Sequence, residues 1–459
     1  MEQITKPHCG ARLDRLPDCR WHSSMFAIVA FGLLVCWSNA VGGLILAQLK
    51  ALGWTDNSTT ATFSAITTAG MFLGALVGGI IGDKTGRRNA FILYEAIHIA
   101  SMVVGAFSPN MDFLIACRFV MGVGLGALLV TLFAGFTEYM PGRNRGTWSS
   151  RVSFIGNWSY PLCSLIAMGL TPLISAEWNW RGQLLIPAIL SLIATALAWR
   201  YFPESPRWLE SRGRYQEAEK VMRSIEEGVI RQTGKPLPPV VIADDGKAPQ
   251  AVPYSALLTG VLLKRVILGS CVLIAMNVVQ YTLINWLPTI FMTQGINLKD
   301  SIVLNTMSMF GAPFGIFIAM LVMDKIPRKT MGVGLLILIA VLGYIYSLQT
   351  SMLLITLIGF FLITFVYMYV CYASAVYVPE IWPTEAKLRG SGLANAVGRI
   401  SGIAAPYAVA VLLSSYGVTG VFILLGAVSI VVAIAIATIG IETKGVSVES
   451  LSIDAVANK

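Results

Sequence analysis

Between residues 25 and 440 the sequence is a succession of apolar runs, each stopped by a short polar turn. Each run is long enough to cross a bilayer as a helix, and this restricts the fold more than any other feature of the chain. The spans fall at 25–49, 60–82, 90–107, 112–139, 147–174, 183–202, 265–293, 300–323, 331–350, 351–378, 391–415 and 418–440. A chain that is 56% hydrophobic and only 12% charged has far more apolar surface than a soluble core of this size needs, so its solvent is lipid. The expected fold class is an all-α membrane protein of twelve transmembrane helices in two six-helix halves. An even number of crossings puts both termini on one side.

The net charge of +9 admits nucleic acid as a partner, but the placement of the charge argues against it. Of the 33 lysines and arginines, about 27 lie in turns or tails on one side, and only Lys50, Arg181 and Lys299 lie on the other. That asymmetry marks the first side as cytoplasmic and predicts a multi-pass membrane protein with both termini in the cytoplasm. No soluble segment offers the contiguous basic face that nucleic acid requires. Cys9 and Cys19 lie in the cytoplasmic tail and the other cysteines inside apolar spans, so no disulfide is expected. His8, His22 and His98 have no metal-ligand spacing, and no metal or cofactor is expected. Residues 25–49 lack a small-residue cleavage site and read as a retained helix rather than a leader. Asn57-Ser58-Thr59 reads as a capping turn before span 2.

One turn stands out: Gly79-Ile-Ile-Gly-Asp83-Lys84-Thr-Gly86-Arg87-Arg88. Gly86 permits a tight backbone, and Asp83, alone among bases, calls for a cationic partner or a helix N-terminus. The turn recurs as Asp324-Lys325-Ile-Pro327-Arg328-Lys329. A second pair of boundaries also matches, Glu138 to Arg145-Gly146 and Glu380 to Arg389-Gly390. The offset of roughly 240 residues is half the chain, as an internal duplication gives. Gly74, Gly78 and Gly82 in span 2, and Gly122 and Gly126 in span 4, recur every four residues, a spacing that allows close helix approach.

With these motifs in place the chain resembles the major facilitator superfamily. Gly-x-x-x-Asp-Lys-x-Gly-Arg-Arg at 79–88 is similar to the signature loop between helices 2 and 3. Pro203-Glu204-Ser205-Pro206-Arg207-Trp208-Leu209 is similar to the sugar-porter signature after helix 6. Arg118-x-x-x-Gly122-x-Gly124-x-Gly126 resembles that group's helix-4 pattern, and Glu442-Thr443-Lys444-Gly445 its terminal signature with Ile441 in place of the leading proline. The resemblance extends over nearly the whole chain. It implies a secondary transporter working by alternating access, closest to bacterial inner-membrane metabolite transporters. It further implies that Asp83, Arg87, Arg88, Glu138 and Arg145, with Asp324, Arg328, Glu380 and Arg389, form inter-helix salt bridges that close the inner gate. Glu204 and Arg207 would tie the cytoplasmic helices to that latch. Pro327 in place of glycine suggests a looser second latch.

Ionisable residues inside the spans are few: Glu95 and His98 in span 3, Arg118 in span 4, Arg151 in span 5 and Arg399 in span 11. A charge near the bilayer centre costs about 2.5–3.5 kcal/mol on insertion scales, so each needs a partner or a task. Arg151 sits near a helix end and can snorkel. Glu95 and His98 lie one turn apart and are proton-coupling candidates. The family's proton-coupled members pair an acid in helix 1 with the helix-4 arginine, but span 1 here has no carboxylate. Arg118 therefore either pairs with Glu95 or keeps its guanidinium for an anionic substrate. Asn277, Gln280, Tyr281 and Asn285 form a polar stripe on span 7, loosely similar to the sugar-binding helix of sugar porters. Asn157, Trp158 and Tyr160 in span 5, Tyr367, Tyr369 and Tyr372 in span 10, and Asn395 with Arg399 in span 11 complete the polar set. Substrate-binding candidates are Arg118, Asn157, Asn277, Gln280, Tyr281, Asn285, Tyr372, Asn395 and Arg399.

The expected domains are a cytoplasmic tail (1–24), a six-helix half (25–202), a cytoplasmic loop (203–264), a second half (265–440) and a tail (441–459). In the loop, Tyr215 to Val229 places Ala218, Val221, Met222, Ile225 and Val229 on one helix face, and Thr233 to Pro253 reads as a flexible connector. No Walker-type stretch or nucleophile–base constellation appears, which speaks against ATP drive and against an enzyme. The expected function is proton-coupled transport of a sugar acid or related organic anion by a monomer. The alternatives are a neutral sugar or polyol transporter or uniporter, and a non-transporting substrate sensor.

Overall fold

The computed structural model describes residues 7–444 apart from 18, 37–39, 142–144, 241–252, 324 and 384–385. These residues form helices and turns, with no strand among them. In chain order the helices are α1 (Cys9–Asp14), α2 (Arg20–Val35), α3 (Gly42–Ala51), α4 (Asn57–Thr85), α5 (Arg87–Ala106), α6 (Met111–Tyr139) and α7 (Arg145–Asn157). They continue with α8 (Ser159–Leu170), α9 (Ala176–Tyr201), α10 (Pro206–Ser211), α11 (Tyr215–Thr233), α12 (Tyr254–Leu257) and α13 (Gly260–Thr293). The last six are α14 (Leu298–Met309), α15 (Gly311–Val322), α16 (Arg328–Ser347), α17 (Met352–Val370), α18 (Val378–Glu380) and α19 (Lys387–Ile439).

The twelve spans are all present, but several are broken. Among the described residues nine continuous helical stretches are long and apolar enough to cross a membrane. One of them, α19, holds Gly417 at φ 64° and ψ −159°, a conformation that turns the chain and divides it into spans 11 and 12. Span 1 is α2 with α3, and span 5 is α7 with α8. Two breaks follow from proline. Pro161 can give no N–H to the carbonyl of Asn157, where α7 ends, and Pro313 stands in the same relation to Met309, where α14 ends. Cys371–Tyr377, between α17 and α18, winds as a π-helix just before Pro379. Before span 2, Asp56 is the capping residue: its carboxylate accepts from the Thr59 amide at 2.7 Å, and its own amide donates to the Thr59 hydroxyl at 3.1 Å.

The chain divides into two compact units. The first comprises Met1–Asn39, Gly70–Ser159 and Leu184–Gly246. Its core gathers Phe91 of α5, Leu128, Phe136 and Tyr139 of α6, Trp148 of α7 and Phe202 just past α9. The glycine spacing read from the sequence is where α4 meets α6. A Cβ on Gly70, Gly74 or Gly78 would run into the backbone of Phe119, Val123 or Ala127, and one on Gly126 into Met71. The amphipathic helix of the loop is α11, with Ala218, Met222, Ile225 and Val229 buried. Its apolar face is covered by Cys9, Leu13 and Leu16 together with α10.

The second unit comprises Ala40–Ala69, Tyr160–Gln183 and Lys247–Lys459. Its long helix α13 packs on α19 and on α3, where Gly43 leaves no room for a side chain against the Ile284 and Asn285 backbone. Gly311 and Gly315 bring α15 equally close to Phe360 and Thr364 of α17.

Candidate functional site

Two charged clusters lie at corresponding places in the two units. In the first, Arg87 opens α5 after Gly86, which takes φ 98°. Arg87 Nε donates to Glu138 Oε1 at 2.9 Å, and its Nη1 to Asp83 Oδ1 at 2.7 Å and to the Gly82 carbonyl at 3.0 Å. Glu204 Oε1 accepts from the backbone amides of Arg87 (2.7 Å) and Arg88 (3.2 Å). A carboxylate thus caps the free N–H groups of α5 and meets its positive dipole end. Gly86 is required twice, for its backbone angle and because a Cβ there would collide with Glu204. Arg207 Nε donates to the Glu138 carbonyl at 3.0 Å, and Arg88 Nη2 to the Trp199 carbonyl at 2.6 Å.

In the second unit Arg328 opens α16 and holds Glu380 with Nε (3.0 Å) and Nη2 (3.1 Å). Glu442 accepts from the amides of Arg328 (2.8 Å) and Lys329 (3.1 Å), as Glu204 does in the first unit. Thr443 Oγ1 donates to Glu380 at 2.6 Å, and Lys444 Nζ to the Lys325 carbonyl at 2.7 Å. Burial pushes the Glu442 carboxyl up, but the amides of Arg328, Lys329 and Lys444 and the Arg328 charge outweigh it and hold it below the usual carboxylate range. Pro327 sits at φ −56°, so this turn needs no glycine, and the two-pronged Arg328–Glu380 contact is not loosened by its absence. The Arg389 guanidinium lies 5.2 Å from the Tyr254 ring. Asp324 and the Arg145 side chain lie outside the described residues. Glu442 was read from the sequence only as part of the terminal signature and was not assigned to the latch. Its signal was there: it follows span 12 as Glu204 follows span 6, at nearly the same offset as the other repeated charges.

Within the first unit Glu95 and His98 are fully buried, with Glu95 Oε2 3.6 Å from His98 Nδ1. Cys36 Sγ approaches the same ring nitrogen at 4.0 Å. Neither Glu95 oxygen accepts a hydrogen bond among the described residues, and the imidazole of His98 is the basic ring beside it. Arg118 is 1% exposed and points one Nη1 at Met121 Sδ, 3.5 Å away. Asn157 returns its amide to the Ser153 carbonyl of its own helix at 2.8 Å. Arg151 stacks on Trp148 at 4.9 Å.

Within the second unit the α13 stripe faces α19 through two glycines. Gly398 lies against Asn277 Nδ2, and Gly402 against the Tyr281 ring and Thr68. Asn277 Nδ2 donates to the Leu273 carbonyl at 2.7 Å, which leaves its Oδ1 as an acceptor. Asn285 is buried further along the helix. Tyr160 meets Tyr367 edge to face at 5.3 Å, with Tyr281 close to both rings and Gln280 beside Tyr367. The Tyr367 hydroxyl is buried, facing Tyr160 and Gln280. Arg399 follows Gly398, and its Nη1 is enclosed and without a partner among the described residues. Asn395, one turn earlier, is exposed and bonds back to Ser391 at 2.9 Å. Tyr372 is elsewhere: it stacks on Tyr377 at 5.0 Å with its hydroxyl against Gly332 in the first turns of α16, beside the charged cluster. No group of histidines, cysteines and carboxylates fit to hold a metal occurs among the described residues.

Comparison with known proteins agrees with this geometry. The family model described as Major Facilitator Superfamily matches residues 25–406. The chain is 44% identical over 455 residues to the inner membrane metabolite transport protein YdjE of Escherichia coli (strain K12), covering 98% of this chain and 99% of that one. It is 26% identical over 448 residues to the niacin transporter NiaP of Acinetobacter baylyi, covering 96% and 99%. Among solved structures it is similar to the xylose transporter XylE of E. coli in a partially occluded inward-open conformation. That match has a TM-score of 0.73 at 18% identity, over 94% of this chain and 100% of that one, and it speaks for the fold alone. The chain belongs to the Major Facilitator Superfamily and is a membrane transporter of small metabolites, not an enzyme.

Proposed function

We propose that the protein carries a sugar acid or a related organic anion across the inner membrane, with both termini in the cytoplasm, in symport with protons. The reading rests above all on Arg399. Its Nη1 is enclosed with no partner among the described residues, next to Gly398, which lies against Asn277, and one turn before Gly402, which lies against Tyr281. A guanidinium group with an enclosed donor to spare suits a carboxylate, which accepts from an arginine at two points. Tyr160, Gln280 and Tyr367 supply hydroxyl and amide groups for the hydroxyls of the cargo. Arg118 is a second cation of the same polarity. The niacin transporter among the relatives is compatible with a charged cargo.

Glu95 and His98 take the place of the missing span-1 acid. The buried carboxyl and the imidazole 3.6 Å away can share one proton, as neutral acid and base or as an ion pair, and neither arrangement leaves an isolated charge in lipid. The two six-helix halves, 25–202 and 265–440, alternate access to the site. The clusters at Arg87 and Arg328 brace the inner ends of their helices during that cycle, and Asp83→Asn is expected to cut turnover while sparing ligand binding.

The test is thermal stabilisation of the purified protein by matched sugars and sugar acids at pH 6 and pH 8. A ligand bound only by the folded state raises Tm by mass action, about 2.7 kcal/mol of stabilisation at a hundredfold excess over Kd. Stabilisation by the acids, abolished in Arg399→Gln, is the expected result. Stabilisation by the neutral sugars, unchanged in Arg399→Gln, would replace the anion reading with transport of a neutral sugar or polyol.

A further inference from the structure

The short helix α1 lies outside the spans and plays no part in the transport reading, yet it is among the most firmly held segments of the first unit. Cys9, Leu13 and Leu16 are each 0% exposed, packed with Trp208 and Leu209 of α10 and Ala218, Met222, Ile225 and Val229 of α11. Arg12 reaches Glu226 with Nε (3.0 Å) and Nη2 (2.7 Å), and Glu219 with Nη1. Arg15 adds a bond to Glu226 at 2.6 Å and one to the Pro238 carbonyl at 2.9 Å. The Cys9 amide donates to Glu210 Oε2 at 2.6 Å. His8, which leads into α1, is the only non-glycine among the described residues with a positive φ, at 50°.

Six residues are too few to hold a helix in water, and a left-handed histidine is retained only where its surroundings dictate it. So α1 exists because it is docked. Its dock is also the support of the first charged cluster. Arg207 Nη2 donates to Asp14 Oδ1 at 2.9 Å while its Nε holds the Glu138 carbonyl at 3.0 Å. Trp208, which packs on α1, gives its indole N–H to the Asp83 carbonyl at 2.7 Å. Two residues of α10 therefore touch α1 on one side and the Asp83–Gly86 turn or Glu138 on the other.

We propose that α1 is an ionic clip that governs the mobility of the Arg87 cluster. Docked, it presses α10 onto Asp83 and Glu138; released, it lets the Asp83–Arg88 turn open. Cys9 is a built-in reporter, since its thiol is enclosed and is pushed up to about 12 by burial and by the neighbouring Glu210.

The experiment needs no transport substrate and uses the full-length protein. Maleimide labelling of Cys9 is followed by peptide mass spectrometry, with hydrogen exchange of the peptide covering 83–90 measured in parallel. Wild type is expected to label slowly. R12A/R15A is expected to label about tenfold faster or more, the effect of losing charge-assisted bonds at a partly buried site, and to exchange faster at 83–90. The charge-swapped R12E/R15E/E219R/E226R should return both readouts toward wild type. Wild-type Cys9 reacting as an exposed thiol would overturn the proposal. So would fast labelling of R12A/R15A with unchanged exchange at 83–90, since α1 would then be docked without governing the turn. If R12A/R15A does not fold, R15A alone, which keeps the Arg12 contacts, is read by the same two measures and the same criteria.

Discussion

Arg87 and Arg328 each sit at the first position of a helix, where four backbone N–H groups have no partner within the helix. In both places a glutamate from a distant segment, Glu204 or Glu442, takes two of those groups, while the arginine side chain holds another glutamate. Loss of such a cap costs about 0.5–2 kcal/mol. Glu442→Gln is therefore expected to lower the unfolding midpoint by a few degrees, as read by differential scanning fluorimetry. The pH dependence has a definite sign. The carboxyls of Glu442, Glu219 and Glu226 are held below their ordinary values; for all three burial alone acts upward and is outweighed by arginine or amide donors. Their stabilisation is complete above the ordinary glutamate value of about 4.3 and is lost as pH falls through the lower folded-state values. Wild-type Tm should thus drop between pH 5 and pH 3, with a shallower drop in Glu442→Gln. Glu204 was legible at this scale because the Pro-Glu-Ser-Pro-Arg stretch carries it. Glu442 stood in the terminal signature, but its capping role was not read, because the helix start it caps lies more than a hundred residues away.

Elements were legible wherever hydropathy alone decides them. All twelve spans follow from the apolar runs, and the boundary between spans 11 and 12 falls at Gly417, where the chain turns. What hydropathy does not report is continuity. Pro161 and Pro313 were visible as residues, but an apolar run reads the same whether or not one carbonyl inside it has lost its donor. The helix α1 was invisible for another reason: six residues carry no period, and its order comes from partners about two hundred positions away. The glycines of α4 and α6 were read as a close-packing device without a partner being named, and each helix proves to be the other's partner, with Gly74 and Gly78 against Val123 and Ala127 and Gly126 against Met71. Gly126→Val would force a side chain into the Met71 backbone. Overpacking typically costs 1–3 kcal/mol, and here the obstacle is main chain, so about 3 kcal/mol or more is expected, seen as loss of monodisperse protein on size exclusion.

For the whole molecule, proton coupling is the claim with the sharpest consequence. Glu95→Gln keeps the size and removes the titrating group, leaving His98 without its acid. In proteoliposomes loaded with an imposed pH gradient, the variant should still exchange labelled ligand at equilibrium yet fail to accumulate it. Accumulation equal to wild type would remove Glu95 from the coupling path. The proposed substrate site was only half legible from the sequence. Type and spacing pointed to the α13 stripe and Arg399, but separating Tyr372, which belongs to the stack beside Arg328, from Tyr160 and Tyr367 needed three dimensions.

The Glu442 cap has a practical side. The first unit takes its capping carboxylate from the interior of the chain, and the second takes it from a segment only a few residues past the last helix. A purification tag or reporter fused after Lys444 leaves that cap whole. Shortening the chain to Gly440, a natural-looking trim just beyond the membrane, would strip Arg328 and Lys329 of their acceptor and Glu380 of Thr443. The harm would appear at the start of α16, more than a hundred residues earlier in the sequence.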